Sequence, residues 1–189
     1  KYFNMVPEDV DKAIEKLDDI GGPKSHSNYP WGWAQAGNSP MRWYKQTTHG
    51  GGVRDPFIIR WPKAIKDPGG KRHQFHHITD VMPSILEILD LEAPKIFNGI
   101  EQLEVAGTSF AYLLNSESEP TRKKIQYFEM FGHRAIWSDG WKAVSRHEFR
   151  RDYDEEEWEL FHLDRDISET NNLATKEPER LKEMIQLWW

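Results

Sequence analysis

Apolar positions change their period along the chain. Val10, Ile14 and Leu17 recur at helical spacing. Pro7, Glu8 and Asp9 stand just ahead of them, a proline and two acids that suit a first helical turn. Gly21-Gly22-Pro23 ends that pattern. From Lys24 to about Lys45 no period is visible, and Pro, Gly, Asn and Trp abound, so an irregular segment is predicted. "DPFIIRWP", Asp55–Pro62, is a short apolar run closed by proline and predicts a buried strand running parallel to others. In "HITDVMPSILEILDL" Ile78, Val81, Ile85, Leu86 and Leu89 share one side of a helix. Pro83 fits only in its first turn, with Thr79 or Asp80 as the cap. "VAGTSFAYLLN" predicts a short helix with Phe110, Leu113 and Leu114 inward.

After about Ser116 the period shortens. "KIQYFEMF", "RAIWSD", "GWKAVSR" and "WELFHL" are short, aromatic and separated by turns such as Ser138-Asp139-Gly140, which predicts an antiparallel sheet with hairpins. "PERLKEMIQLWW" opens with Pro178 and Glu179 and reads as an amphipathic helix packed on that sheet. The fold class predicted is α/β over residues 1–115, followed by a small α+β portion over 116–189.

Composition narrows the function. The 189 residues carry 38% hydrophobic positions, nine Trp and nine Phe, which suits a folded chain with a polar surface. The net charge of -6 and the lack of a basic patch with interleaved aromatics argue against nucleic acid as a partner. No apolar run approaches the length of a membrane span. Cysteine is absent, so disulfides and thiolate chemistry are excluded. Both ends look cut from something longer, which leaves the compartment open.

The candidate chemistry gathers in "WYKQTTHGGGVRDPF". Three glycines, Gly50 to Gly52, precede the predicted strand and open either positive φ or close backbone approach. Taken alone, Lys45 is a solvated loop lysine. Lys-x-x-Thr-His-x-Gly-Gly-Val-Arg-x-Pro-Phe, then "RWP", "TDVMPSILEILDL", "GTSFAYLL", "YFEMFGHRAI", "DGWKAV" and "WELFHLDRDISETNNLA", in that order, resemble the C-terminal half of type I sulfatases, the arylsulfatase branch of the alkaline-phosphatase-like superfamily. "LDDIGGPKSHSNYPWGWAQAGNSPMRWYK" resembles a subgroup of large bacterial arylsulfatases. The resemblance runs from about Leu17 to Trp189.

It implies a fragment of an alkaline-phosphatase-like mixed sheet, followed by the small antiparallel sheet and its helix. It implies hydrolysis of sulfate monoesters, of a small molecule or a sulfated glycan, by a formylglycine nucleophile. A calcium ion is implied too, held by carboxylates in the missing N-terminal half, so no metal ligand is expected here and the isolated chain should not turn over. Lys45 matches the family lysine that reaches the sulfate, and is the catalytic and substrate-binding candidate. His49 stands where members carry tyrosine or histidine, and is either a packing residue or a second substrate contact. Gly50 replaces the glutamate that many members place before the paired glycines. The same architecture also serves phosphonate and phosphodiester hydrolases, and a non-catalytic module binding glycans through its tryptophans is the reading from another class.

Other motifs have plainer readings. "SEPTR", Ser118–Arg122, fits the C/S-x-P-x-R nucleophile pattern but runs into a strand, and is read as a linker. His73, His76, His77 and Asp80 have spacing that suits zinc on a helix, yet are read as a polar helix start. "DYDEEE" reads as a solvated hairpin loop rather than a calcium loop. His133-Arg134 is read as packing, with leaving-group recognition as the alternative. The Trp-rich "YPWGWAQAGNSPMRWY" reads as an anchor on a neighbouring domain, or as a stacking surface for an aryl or sugar ring. "DRDISETNN" reads as a self-bonded turn.

Overall fold

The computed structural model describes residues 2–3, 6–7, 9–19, 21–24 and 30–189. Contacts divide the chain into two compact units, 1–39 and 40–189. In the first, β1 (Tyr2–Phe3) pairs antiparallel with β2 (Val6–Pro7), and α1 spans Val10–Glu15. Pro7 belongs to the strand. The Asp9 carboxylate accepts the Lys12 N–H at 3.2 Å and starts the helix, while Glu8 lies outside the described residues. Val10, Ile14 and Leu17 are exposed. The segment expected to be irregular contains a helix, α2 (Trp31–Gly37), entered after Pro30, whose carbonyl accepts the Ala34 N–H at 2.9 Å. Tyr29, predicted as part of the aromatic stretch, lies outside the described residues.

The second unit is built on a four-stranded meander, β5 (Ile125–Met130), β6 (His133–Ser138), β7 (Trp141–Ser145) and β8 (Trp158–His162), in sequential antiparallel order. These are preceded by α3 (Gly50–Val53), α4 (Val81–Leu89) and a small hairpin, β3 (Ile96–Phe97) with β4 (Ile100–Glu101). The β5–β6 and β6–β7 loops have two residues each, and both central residues take positive φ: Phe131 at 52° with Gly132 at 85°, and Asp139 at 44° with Gly140 at 83°. That is the type I′ geometry whose twist matches the flanking strands.

Alternation splits the sheet into two faces. Ile136, Ala143 and Leu160 lie in one cross-strand row and bury Met184 of α5 (Pro178–Trp188). Ile136, Leu160 and Met184 each contribute about 1.5–3 kcal/mol relative to exposure. The opposite face carries Ala135, Val144 and Phe161, with Trp137 stacked on Phe75 at 3.8 Å between ring centroids. Ala111–Asn115 forms a 3-10 helix with Phe110 and Leu113 buried.

Helix α4 differs from its expected orientation. Ile78, Ile85 and Leu89 are exposed, because its buried face is polar. Fully buried Asp80 accepts the His77 N–H, the Thr108 N–H and Lys123 Nζ, each at 2.8 Å. Buried Ser84 accepts the Phe110 N–H at 2.8 Å. Pro83 sits in the first turn as expected, and Asp80 stands at the N-cap of α4 as one of the two expected candidates, its carboxylate reaching back to the His77 N–H in a capping box on the preceding 3-10 turn.

The predicted strand at Asp55–Pro62 is a correction. The segment makes no strand pairing with any described residue, and Phe57, Ile58 and Ile59 are 60%, 88% and 41% exposed. An apolar run becomes a strand only when a ladder partner lies beside it. Among the described residues no helix is long and apolar enough to cross a membrane.

Candidate functional site

The loop bearing Lys45 is shaped by its backbone. Trp43 has φ 63° and Gln46 φ 75°, so two non-glycine residues flanking the lysine are left-handed. Such positions are costly and persist only where surroundings enforce them. The glycines supply part of that enforcement. Gly50 to Gly52 all avoid positive φ and form the first three residues of the one-turn helix α3. A Cβ at Gly51 would overlap the Trp43 carbonyl, and one at Gly52 the Thr47 carbonyl. Close approach, rather than positive φ, is what requires glycine, and the partner that comes close is the loop's own backbone. Gly51 N donates to Arg42 O at 2.8 Å and closes the loop at its base.

Two carboxylates far along the chain pin this loop to the sheet. Glu159 of β8 uses both oxygens: Arg42 Nη1 donates to Oε1 at 2.8 Å, and His49 Nε2 lies 3.0 Å from Oε2. Burial pushes the Glu159 carboxyl up in pKa, but His49 and Arg42 outweigh it and hold the group below its ordinary value. Glu169 accepts the Gly50 N–H at 2.7 Å through Oε2 and Lys142 Nζ at 2.7 Å through Oε1. Lys142 and Glu169 are 2% and 0% exposed in their side chains, a fully desolvated pair. Burial drives the Lys142 ammonium down in pKa against the pull of Glu169. Thr48 Oγ1 donates to the Arg134 carbonyl at 3.2 Å and completes the seat.

Lys45 itself is exposed and makes no ion pair with any described residue. His49 is 1% exposed, and its ring is spent on Glu159 and on packing 6.4 Å from Trp43. The arrangement holds a free ammonium on a loop that its neighbours restrain.

The other candidates fall elsewhere. His77 caps a turn, His76 Nδ1 lies 3.4 Å from Asp80 Oδ2, and no three metal-type side chains converge among the described residues. Ser118–Arg122 is irregular, bent chain ahead of β5, with Thr121 Oγ1 donating to Phe75 O at 2.9 Å. The acidic run is less solvated than its composition suggests. Glu156 is buried, accepting Arg134 Nη2 at 2.9 Å and lying 2.6 Å from His147 Nδ1. Arg134 is therefore a packing residue, 2% exposed. Trp31 and Trp33 are exposed on α2. The turn before α5 bonds itself as predicted, Asp166 accepting the Thr170 and Asn171 N–H groups.

Sequence reasoning missed Glu159, Glu169, Arg42 and Lys142. A signal was present for two of them. Register places Lys142 beside Phe161, and Glu159 beside Val144, on one buried face. Charges in an inward row need partners.

Residues 40–187 match the family described as N-sulphoglucosamine sulphohydrolase, C-terminal. An uncharacterized sulfatase of Schizosaccharomyces pombe is 33% identical over 175 residues, covering 91% of this chain and 31% of the relative. A sulfatase of Formosa agariphila is 31% identical over 151 residues, covering 75% and 26%. A structure solved in work on metabolism of multiple glycosaminoglycans by Bacteroides thetaiotaomicron superposes with a TM-score of 0.57 at 23% identity, covering 76% of this chain and 30% of that one. The crystal structure of Ps i-CgsB gives 0.57 at 24% identity, covering 79% and 31%. The chain thus spans less than a third of the length of these relatives. It belongs to the sulfatase family, and over residues 40–187 it carries that family's C-terminal portion.

Proposed function

We propose that this chain forms one wall of the active site of a sulfuric ester hydrolase, with Lys45 as the cation that meets the sulfate. The supporting observation is the pairing of a solvent-facing, unpaired ammonium with a loop locked by Glu159 and Glu169. A sulfuryl group in transfer spreads negative charge over its oxygens, and a cation held beforehand in place lowers the barrier without reorganising. Lysine serves as a point charge, so the backbone must supply the aim. Left-handed Trp43 and Gln46 supply it.

The formylglycine nucleophile and the calcium ion that the family resemblance implies belong, in this reading, to polypeptide outside these 189 residues. The described residues offer no cluster for such an ion. The exposed apolar run Phe57–Ile59 is read as a strand completed by that same polypeptide. Substrates are sulfated saccharides. The family's description as an N-sulphoglucosamine sulphohydrolase supports this, as does a 28% identical relative named N-acetylgalactosamine-6-O-sulfatase.

The test is Lys45→Ala in the complete enzyme, with kcat and KM measured on an aryl sulfate and on a sulfated amino sugar. Loss of a preorganised charge should lower kcat by about 100-fold or more. Near-wild-type kinetics would remove Lys45 from the mechanism. Faster hydrolysis of a phosphodiester than of any sulfate would move the enzyme to the phosphodiester branch.

A further inference from the structure

A second cation stands beside the Lys45 loop. Arg146 follows β7 directly and is exposed. Its guanidinium carbon lies 4.3 Å from the centroid of the Trp43 ring. Trp43 is the left-handed residue two positions ahead of Lys45, so the strain that aims the lysine also sets the indole under the arginine. Stacking fixes a guanidinium in a plane while leaving its N–H edges free to donate. Arg146 makes no ion pair with any described residue.

His133 joins it. Arg134 pairs with Ser145 in the β6–β7 ladder, and the next step beyond that pair sets His133 opposite Arg146. Strand alternation puts both on the face that carries Glu159, Lys142 and the Lys45 loop, away from α5. His133 Nδ1 accepts the His147 N–H at 2.9 Å, which assigns its proton to Nε2 and makes that nitrogen a donor. Burial lowers the His133 pKa, and Arg146, His147 and nearby His49 lower it further, so the ring stays neutral near pH 7. The acids around this cluster are already committed: Glu159 to Arg42 and His49, Glu156 to Arg134 and His147, Glu148 to Arg151. The charge left over is positive.

We propose that Arg146, stacked on Trp43 and flanked by the His133 Nε2–H, forms a second anion subsite that binds another sulfate group on the same sugar chain as the sulfate met by Lys45. Arg146 acts in substrate selection and not in bond cleavage. The proposal rests on the sulfatase reading for its substrate class, but its test reads binding separately from cleavage.

The complete enzyme would be titrated with D-glucosamine-2-N,6-O-disulfate and with N-acetyl-D-glucosamine-6-O-sulfate, which replaces one sulfate by a neutral acetyl group. Binding is followed by stopped-flow quenching of tryptophan fluorescence, read before turnover. Wild type should favour the disulfate by about tenfold or more, the worth of one charge-assisted hydrogen-bonded contact. Arg146→Gln should bring the two affinities within about twofold while the melting temperature holds, and Arg146→Lys should retain part of the preference. Equal wild-type affinities, or no binding of either sugar, would overturn the proposal. So would a preference that survives Arg146→Gln, or an equal loss for both sugars. An enzyme that shows the preference without cleaving either sugar would keep the subsite and reject the sulfatase reading. One that cleaves sulfate without the preference would do the reverse.

Discussion

Removing the Glu169 carboxylate perturbs the Lys45 loop without touching the lysine. Glu169→Ala leaves the Lys142 ammonium, 2% exposed, with no counter-ion, and leaves the buried Gly50 N–H without its acceptor. Breaking a buried pair by deleting one partner costs about 3–5 kcal/mol, and an orphaned N–H about 1–3 kcal/mol. The two share one carboxylate and do not add fully, so a total of about 4–6 kcal/mol is expected. For a domain of this size that corresponds to a fall of roughly 10–20 °C in melting temperature. The pH response separates a lost charge pair from a simple cavity. Burial already lowers the Lys142 pKa, and loss of Glu169 lowers it further. Between that lowered value and the unfolded value of about 10.4 the unfolded chain binds the extra proton. Stability must therefore rise with pH across that window, more steeply in the variant than in wild type. Thermal melts of wild type, Glu169→Ala and Lys142→Met/Glu169→Gln at several pH values from 7 to 9.5 make the comparison. The double variant removes the stranded charge, keeps an acceptor for Gly50, and should recover about half the loss or more. A Glu169→Ala protein that melts within about 2 °C of wild type, or that shows no steeper pH response, would refute the reasoning.

Two further outcomes follow from the same geometry. Gly51→Ala drives a methyl group into the Trp43 carbonyl, a clash only backbone movement can relieve, so turnover should fall by about 100-fold or more alongside a lowered melting temperature; steady-state kinetics and a melt check both. Asp80, Glu156, Glu159 and Asp166 are each pushed up by burial, yet hydrogen bonds, joined by neighbouring cations at all but Asp166, hold the four below their ordinary values. A carboxylate with a lowered folded pKa stabilises above its unfolded value, and that stability is lost as pH falls through the folded one. Melting temperature should therefore decline gently from about pH 7 to 5, where burial keeps His76, His77 and His133 neutral while their unfolded counterparts take up protons, and drop steeply below about pH 4.

The parts of the fold that were legible are the local ones. Asp139-Gly140 dictates a two-residue hairpin by its own backbone preferences, and Pro178 with Glu179 marks a helix start, whatever lies around them. Asp55–Pro62 failed because an apolar run specifies a need for burial without specifying its partner. The stripe on α4 misled for a related reason: Asp80, read only as a candidate cap, and Ser84, outside the apolar stripe, are the residues its neighbours bind. At the site, the lysine and its glycines were visible as a motif. What restrains them was not, since pairings such as Arg42 with Glu159 and Gly50 with Glu169 join positions that no local pattern connects.

Those pairings also order events in time. Arg42 and Glu159 are 117 residues apart, and Gly50 and Glu169 119 apart. On a ribosome, the hinge around Lys45 emerges long before either fastener exists. The meander, with sequential strands and tight hairpins, can assemble as it is made, and only then does a surface exist on which the hinge can close. A message cut short between Lys45 and Glu159 would still encode the lysine, yet yield a protein that holds neither fastener.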